Sequence, residues 1–94
     1  MRLDAQQAAA LEKALENVED EVYLFGSRID EEKKGGDIDI LIFSKQDPYK
    51  LSQEISIRYF RECEEKIDVV VMDKDDLTEE QKAFLNQIKM ERIK

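Results

Sequence analysis

The chain has 94 residues, and its 23 acidic and 15 basic side chains give a formal net charge of −8 at pH 7. A chain of this length folds around one modest core, which predicts a single domain over residues 1–94. The acidic excess argues against nucleic acid as a direct partner, because a polyanion is normally bound by a basic surface. The absence of histidine excludes a Ser-His-Asp triad, a Cys-His pair and an imidazole zinc ligand.

The start of the chain predicts a helix followed by a strand. Residues 4–19 favour a helix, because Asp4 is a good N-cap, Gln7 follows three residues later, and apolar residues recur at helical spacing. Residues 21–25, EVYLF, form a short and mostly apolar run. We expect this run to be a strand that ends at Gly26.

The middle of the chain predicts a buried strand and a second helix. Residues 27–36 are a charged connection, and residues 37–43, DIDILIF, predict a strand that is buried on both faces after its first residues. Asp47 is the expected N-cap of the next helix, with Pro48 at its first position. The face of this helix that we expect to be buried consists of Leu51, Ile55, Tyr59 and Cys63, widened by Phe60.

The last third of the chain predicts one more strand and one more helix. Residues 66–72, KIDVVVM, have a strand pattern, and Thr78 with Gln81 predicts a capping box for a helix that reaches toward Lys94. We attribute the basic residues of this last helix to its dipole. The order α-β-β-α-β-α predicts an α/β (α+β) fold, in which a small mixed sheet of three or four strands is flanked by helices.

Cellular location is indicated by what the chain lacks. Its single cysteine, Cys63, cannot form an internal disulfide, which is consistent with a reducing compartment. No run of residues has the apolar core of a signal peptide or the length of a membrane-spanning helix. These features predict a cytoplasmic protein without a membrane partner.

Three acidic residues lie near the starts of two predicted strands. Asp37 and Asp39 are two residues apart, so their side chains point to one face, roughly 7 Å apart along the backbone. Asp68 occupies the equivalent position near the start of the next predicted strand. If the two strands are neighbours, three carboxylates converge and repel one another unless a cation lies between them. Oxygen-only ligands favour Mg²⁺ or Mn²⁺.

A small residue and a hydroxyl lie one loop upstream of these acids. Gly26 and Ser27 follow the first predicted strand, and such a pair lets backbone N–H groups close on a phosphate. Taken singly, a Gly-Ser turn and an acidic strand start are both common and usually only solvated. Their combination indicates a site for a phosphate-containing ligand.

The two segments together resemble a known signature. Residues 25–28, FGSR, followed by residues 36–40, GDIDI, resemble the signature of the DNA polymerase β-type nucleotidyltransferase superfamily. The resemblance covers residues 21–73 and is greatest to the stand-alone minimal nucleotidyltransferases. It implies the polymerase β-like fold. It also implies a nucleotide-binding set of Gly26, Ser27 and Arg28. The catalytic residues, which also bind two Mg²⁺ ions with Mn²⁺ as the alternative, are implied to be Asp37, Asp39 and Asp68.

The resemblance also implies an activity and a partner. The implied activity is transfer of AMP from ATP to an acceptor hydroxyl. The implied acceptor is a tyrosine on a helical HEPN-type toxin, and the implied role of this chain is that of the antitoxin. The alternative is a catalytically weak nucleotidyltransferase fold that acts as a protein-binding regulatory subunit, and the acidic residues 30–32 favour it. The acceptor, the preferred nucleobase and self-association of the chain stay open.

Overall fold

The fold is a four-stranded mixed sheet with helices on its two faces. The computed structural model describes residues 3–26 and 38–94. In chain order the described elements are α1 (Ala5–Ala14), β1 (Glu21–Phe25), β2 (Ile38–Phe43), α2 (Pro48–Cys63), β3 (Ile67–Met72), α3 (Glu79–Gln87) and β4 (Met90–Arg92). The strand order is β3-β2-β1-β4; β2 and β3 are parallel, and β1 is antiparallel to both β2 and β4. The predicted α+β class and mixed sheet are confirmed.

Helix α1 begins at its predicted cap but is shorter than predicted. The Asp4 carboxylate accepts a hydrogen bond from the backbone N–H of Gln7 at 2.7 Å, and the Gln7 side chain accepts one from the backbone of Asp4 at 3.2 Å. The helix ends at Ala14 rather than at residue 19. From Glu16 onward, hydrogen bonds join residues three apart instead of four, which tightens the chain into a turn. This turn still buries Leu15 and Val18 in the core.

Helix α2 starts where the sequence predicts. The Asp47 carboxylate accepts hydrogen bonds from the backbone N–H groups of residues 49 and 50 at 3.0 and 3.2 Å, and Pro48 takes the first helical position. The prediction that Phe60 is buried is wrong, because it is 50% exposed. It directly follows the buried Tyr59, and one residue along a helix turns the side chain by about 100°. No helix in the described part of the chain is long and apolar enough to cross a membrane.

The last residues of the chain form a strand, which corrects the prediction of a helix toward Lys94. The capping box of α3 is present, but the helix ends at Gln87 and Ile88 has an extended backbone. Met90 then pairs with Phe25 as β4 runs antiparallel to β1. The open edge of β1 offers unpaired backbone groups, and pairing with them outweighs the weak local helix preference. The helix-dipole interpretation is also wrong, because the last turn of α3 contains no basic residue.

Each face of the sheet carries its own apolar cluster. On one face α1 and α2 cover the alternating Ile38, Ile40 and Ile42 of β2. On the other face α3 packs Phe84 and neighbouring apolar residues against Phe25 and the rest of the second cluster, and the two phenylalanine rings meet edge to face at 5.6 Å. The prediction that β2 is buried on both faces is therefore confirmed. No residue of α3 is itself buried, so this second face is covered less completely.

An ion pair joins the end of β3 to the start of β1. The ammonium of Lys74 lies 3.0 Å from the Glu21 carboxylate and 5.3 Å from the centre of the Phe43 ring. The hydrogen bond from Lys74, together with one from Tyr23, lowers the pKa of Glu21 below its ordinary 4.5. The same hydrogen bond to Glu21 raises the pKa of Lys74. The pair is solvent-exposed, so its contribution to stability is modest.

This pair predicts a pH dependence of stability. Because the pKa of Glu21 is lower in the folded chain than in the unfolded one, its contribution is present above pH 4.5 and is lost as the pH falls through the folded value. We expect Glu21→Gln to lower Tm slightly near neutral pH, and the difference from wild type to vanish well below pH 4.5. Thermal melts across this range measure it. A Tm difference that stays constant with pH would contradict the assignment.

Candidate functional site

Four residues form a row across the sheet at the end where β2 and β3 begin. Asp39 of β2 is in register with Asp68 of β3 and, on its other side, with Phe25 of β1. Phe25 is in turn paired with Met90 of β4. Residues paired in register on neighbouring strands project to the same face. The row therefore sets two carboxylates beside two apolar side chains on the face that α3 partly covers.

The alternation along β2 is what presents Asp39 on this face. Ile38, Ile40 and Ile42 take the other face and are almost completely buried under α1 and α2. A shift of one residue in the strand register would bury Asp39 and expose the isoleucines, so the apolar pattern fixes the orientation of the carboxylate. Asp39 is half-buried, whereas Asp68, at the second position of the edge strand β3, is exposed.

The structure brings two of the three predicted carboxylates together. Neighbouring strands are about 4.8 Å apart, so the in-register Asp39 and Asp68 present their carboxylates side by side on one face of the sheet. Asp37 lies outside the described residues. Within residues 3–26 and 38–94, no group of three acidic or cysteine side chains is arranged to hold a metal ion. The described part of the site is therefore a pair of oxygen donors at one end of the sheet.

Gly26 lies directly against the Asp39 carboxylate. It follows β1 with a φ of +79°, a conformation that side-chain-bearing residues rarely adopt, and a Cβ atom built on it would lie 2.6 Å from Asp39 Oδ2. The positive φ favours glycine at this position, and a Cβ here would also displace the Asp39 carboxylate. The sequence predicts Gly26 as a point of close backbone approach; the structure adds that the approach includes Asp39. Ser27 and Arg28, the other two predicted nucleotide-binding residues, lie outside the described residues.

The apolar half of the row was not found by sequence reasoning. Met90 is 38% exposed beside the buried Phe25, and Phe84 of α3 packs on the same phenylalanine. Because the end of the chain was predicted to be helical, Met90 was not expected to lie in the sheet. A three-residue strand carries no periodicity long enough to be recognised, and its pairing with β1 spans most of the chain.

A second group of charges lies at the opposite end of β2 and β3. It lines a cavity of about 590 Å³, but its lysines are already paired, Lys45 with Asp75 at 3.1 Å and Lys74 with Glu21 at 3.0 Å. The hydrogen bond to Asp75 raises the pKa of Lys45. The lysines that line this cavity are thus engaged in ion pairs within the fold. The Asp39–Asp68 end of the sheet remains the candidate site.

A comparison with models of known protein families identifies a match that covers most of the chain. The family model described as a nucleotidyltransferase domain matches residues 7–94. The matched range contains all four described strands, Gly26 and the Asp39–Asp68 pair. None of the curated proteins compared with the chain matches it.

Proposed function

The chain belongs to the nucleotidyltransferase domain family, and from this membership we propose that it transfers AMP from ATP to a tyrosine hydroxyl on a helical HEPN-type toxin. Nucleotidyl transfer in general follows from the family; the nucleotide, the acceptor and the antitoxin role are the proposed parts. The observation that supports a working site is the in-register pair of Asp39 and Asp68, with Gly26 against the first carboxylate.

The donor set of this pair fits a hard divalent cation. Asp39 and Asp68 offer carboxylate oxygens on the same face of adjacent strands, and oxygen donors of negative charge are those that Mg²⁺ and Mn²⁺ prefer. In the proposal Asp37 and Asp39 hold one ion and Asp68 shares a second. When bound, such ions neutralise charge on the triphosphate and lower the pKa of the acceptor hydroxyl.

The chain's own residues bind and orient the reactants. Gly26, having no side chain, allows the backbone after β1 to come near the triphosphate, and Ser27 and Arg28 contribute a hydroxyl and a guanidinium to it. Asp68 accepts the proton of the acceptor hydroxyl on a carboxylate oxygen. The acceptor oxygen then bonds to the α-phosphorus as the bond to pyrophosphate breaks. Positioning supplies much of the rate enhancement in such a reaction.

The charge of the chain supports a protein partner rather than nucleic acid. A net charge of −8 disfavours phosphate backbones and favours encounter with a basic protein surface. The tyrosine of that partner would reach the site at Asp68, whose side chain is exposed on the edge strand.

Intact-mass spectrometry of the partner tests the proposal. We expect the product of the adjacent reading frame, incubated with the chain, ATP and Mg²⁺, to gain the mass of one AMP moiety. Omitting the divalent ion, or using Asp39→Asn, should abolish the gain. A stable complex without the adduct would support the regulatory-subunit alternative instead. If neither complex nor adduct forms, the antitoxin proposal is wrong.

A further inference from the structure

The outward side of α2 carries two large apolar side chains. Ile57 and Phe60 are each 50% exposed, and they line a groove of about 400 Å³ between α2 and the start of β3. The opposite side of α2 already packs in the core through Leu51, Ile55 and Tyr59. The exposed halves of these two side chains are therefore not covered by the fold itself and are available to a partner surface.

The charges around Ile57 have an order that is complementary to itself. Lys50, Glu54, Ile57 and Arg61 follow one another within α2 at intervals of four, three and four residues, the spacing that keeps residues on one side of a helix. Glu64 is the C-cap that follows the helix, with a left-handed backbone. All five are exposed. On the N-terminal side of Ile57, the nearer charge is negative (Glu54) and the farther one is positive (Lys50). On the C-terminal side, the nearer charge is positive (Arg61) and the farther one is negative (Glu64).

This order selects one orientation of a second copy. When two α2 helices pack antiparallel with Ile57 against Ile57, Glu54 faces Arg61 of the second copy. Lys50 approaches the C-terminal end of the second α2, where the helix dipole and the C-cap Glu64 are both negative, and two-fold symmetry repeats both contacts. A parallel arrangement would instead set each charge opposite its own counterpart, which is repulsive.

The four charged side chains are available for such contacts. In the part of the chain that the structure describes, none of Lys50, Glu54, Arg61 and Glu64 takes part in an ion pair. We propose that the chain forms a two-fold symmetric homodimer through antiparallel packing of α2 on α2, centred on Ile57. A 16-residue helix is about 24 Å long, so the interface is small and the dimer should dissociate on dilution.

Sedimentation or light-scattering mass across a concentration series tests the dimer. We expect wild type to approach twice the 11.0 kDa chain mass at high concentration. Ile57→Glu opposes two carboxylates at the symmetry axis and should raise Kd about tenfold or more. Ala83→Glu, which introduces a carboxylate at an exposed apolar residue of α3, is the matched control and should leave Kd unchanged. These measurements need neither nucleotide nor acceptor, so they are independent of the proposed function.

A charge exchange tests the orientation. Arg61→Glu alone would face Glu54 of the second copy and should raise Kd about tenfold. Glu54→Arg alone should have the same effect, and the two substitutions together should restore Kd to within about twofold of wild type. A folding defect caused by either substitution would persist in the double variant. Recovery of the wild-type Kd would therefore show that the two charges contact each other across the interface. A mass of one chain at every concentration, or a dimer that neither Ile57→Glu nor the charge exchange weakens, would overturn the proposal.

Discussion

Asp39→Asn is expected to reduce nucleotidyl transfer about a thousandfold while the fold stays intact. Loss of a metal-binding carboxylate removes several kcal/mol of charge stabilisation in the transition state, and about 4 kcal/mol corresponds to this factor. The substitution preserves the size of a half-buried side chain. It also removes the repulsion between Asp39 and Asp68, so Tm without metal should be unchanged or higher.

The rate of AMP incorporation into the partner, with Tm and circular dichroism measured in parallel, tests this expectation. Asp75→Asn is the matched control, because it neutralises another carboxylate at the opposite end of the sheet, paired there with Lys45. We expect the control to stay within about twofold of wild type, since exposed surface charges contribute little. An Asp39→Asn variant that retains about a tenth of the wild-type rate would show that Asp39 does not act as assigned.

Gly26→Ala is expected to destabilise the fold by about 1.5–3 kcal/mol. One part of this cost is the φ of +79°, which an L-residue adopts only with strain. The other part is the contact of the new Cβ with the Asp39 carboxylate at 2.6 Å, which forces either group to move. Since Asp39 is a candidate catalytic residue, the same substitution should also abolish transfer.

Urea unfolding of a double-mutant cycle separates the two parts. In an Asp39→Ala background the carboxylate atoms nearest the new Cβ are absent, and the remaining Asp39 Cβ is at an ordinary 3.6 Å. Gly26→Ala should then cost only the backbone strain, about 1–2 kcal/mol. We expect a coupling energy of about 0.5–1 kcal/mol between the two positions, because a carboxylate at the end of a side chain can rotate to relieve part of the contact. Equal costs in both backgrounds would contradict the contact.

Elements specified by nearby residues were predictable, and those that depend on distant pairing were not. The capping boxes at Asp4 and Thr78, and the start of α2 at Pro48, rest on side chains within three residues and are confirmed. The strand β4 forms only because β1 presents an open edge to it. No local pattern around Met90 indicates this pairing with β1, and the helix predicted there was wrong.

The same distinction between local and distant determinants applies to the candidate site. An acidic residue near the start of each of two apolar strands is visible in the sequence, so Asp39 and Asp68 were predicted as residues. Their adjacency was conditional on the two strands being neighbours, which the parallel register of β2 and β3 establishes. The contact between Gly26 and Asp39 joins the end of one strand to its antiparallel neighbour. It therefore depends on a register that composition and spacing do not contain.

The weak attachment of α3 has a consequence for how the molecule exchanges its amide hydrogens. Neither α3 nor β4 contains a buried residue, whereas the face under α1 and α2 is almost completely buried. Segments with so little buried area open at a free-energy cost far below that of global unfolding. Amides of residues 79–92 should therefore exchange early, while those of β2 persist. Each such opening exposes Phe25 and the other apolar residues of the second cluster to solvent, so this face of the sheet loses its packing before the face under α1 and α2 does.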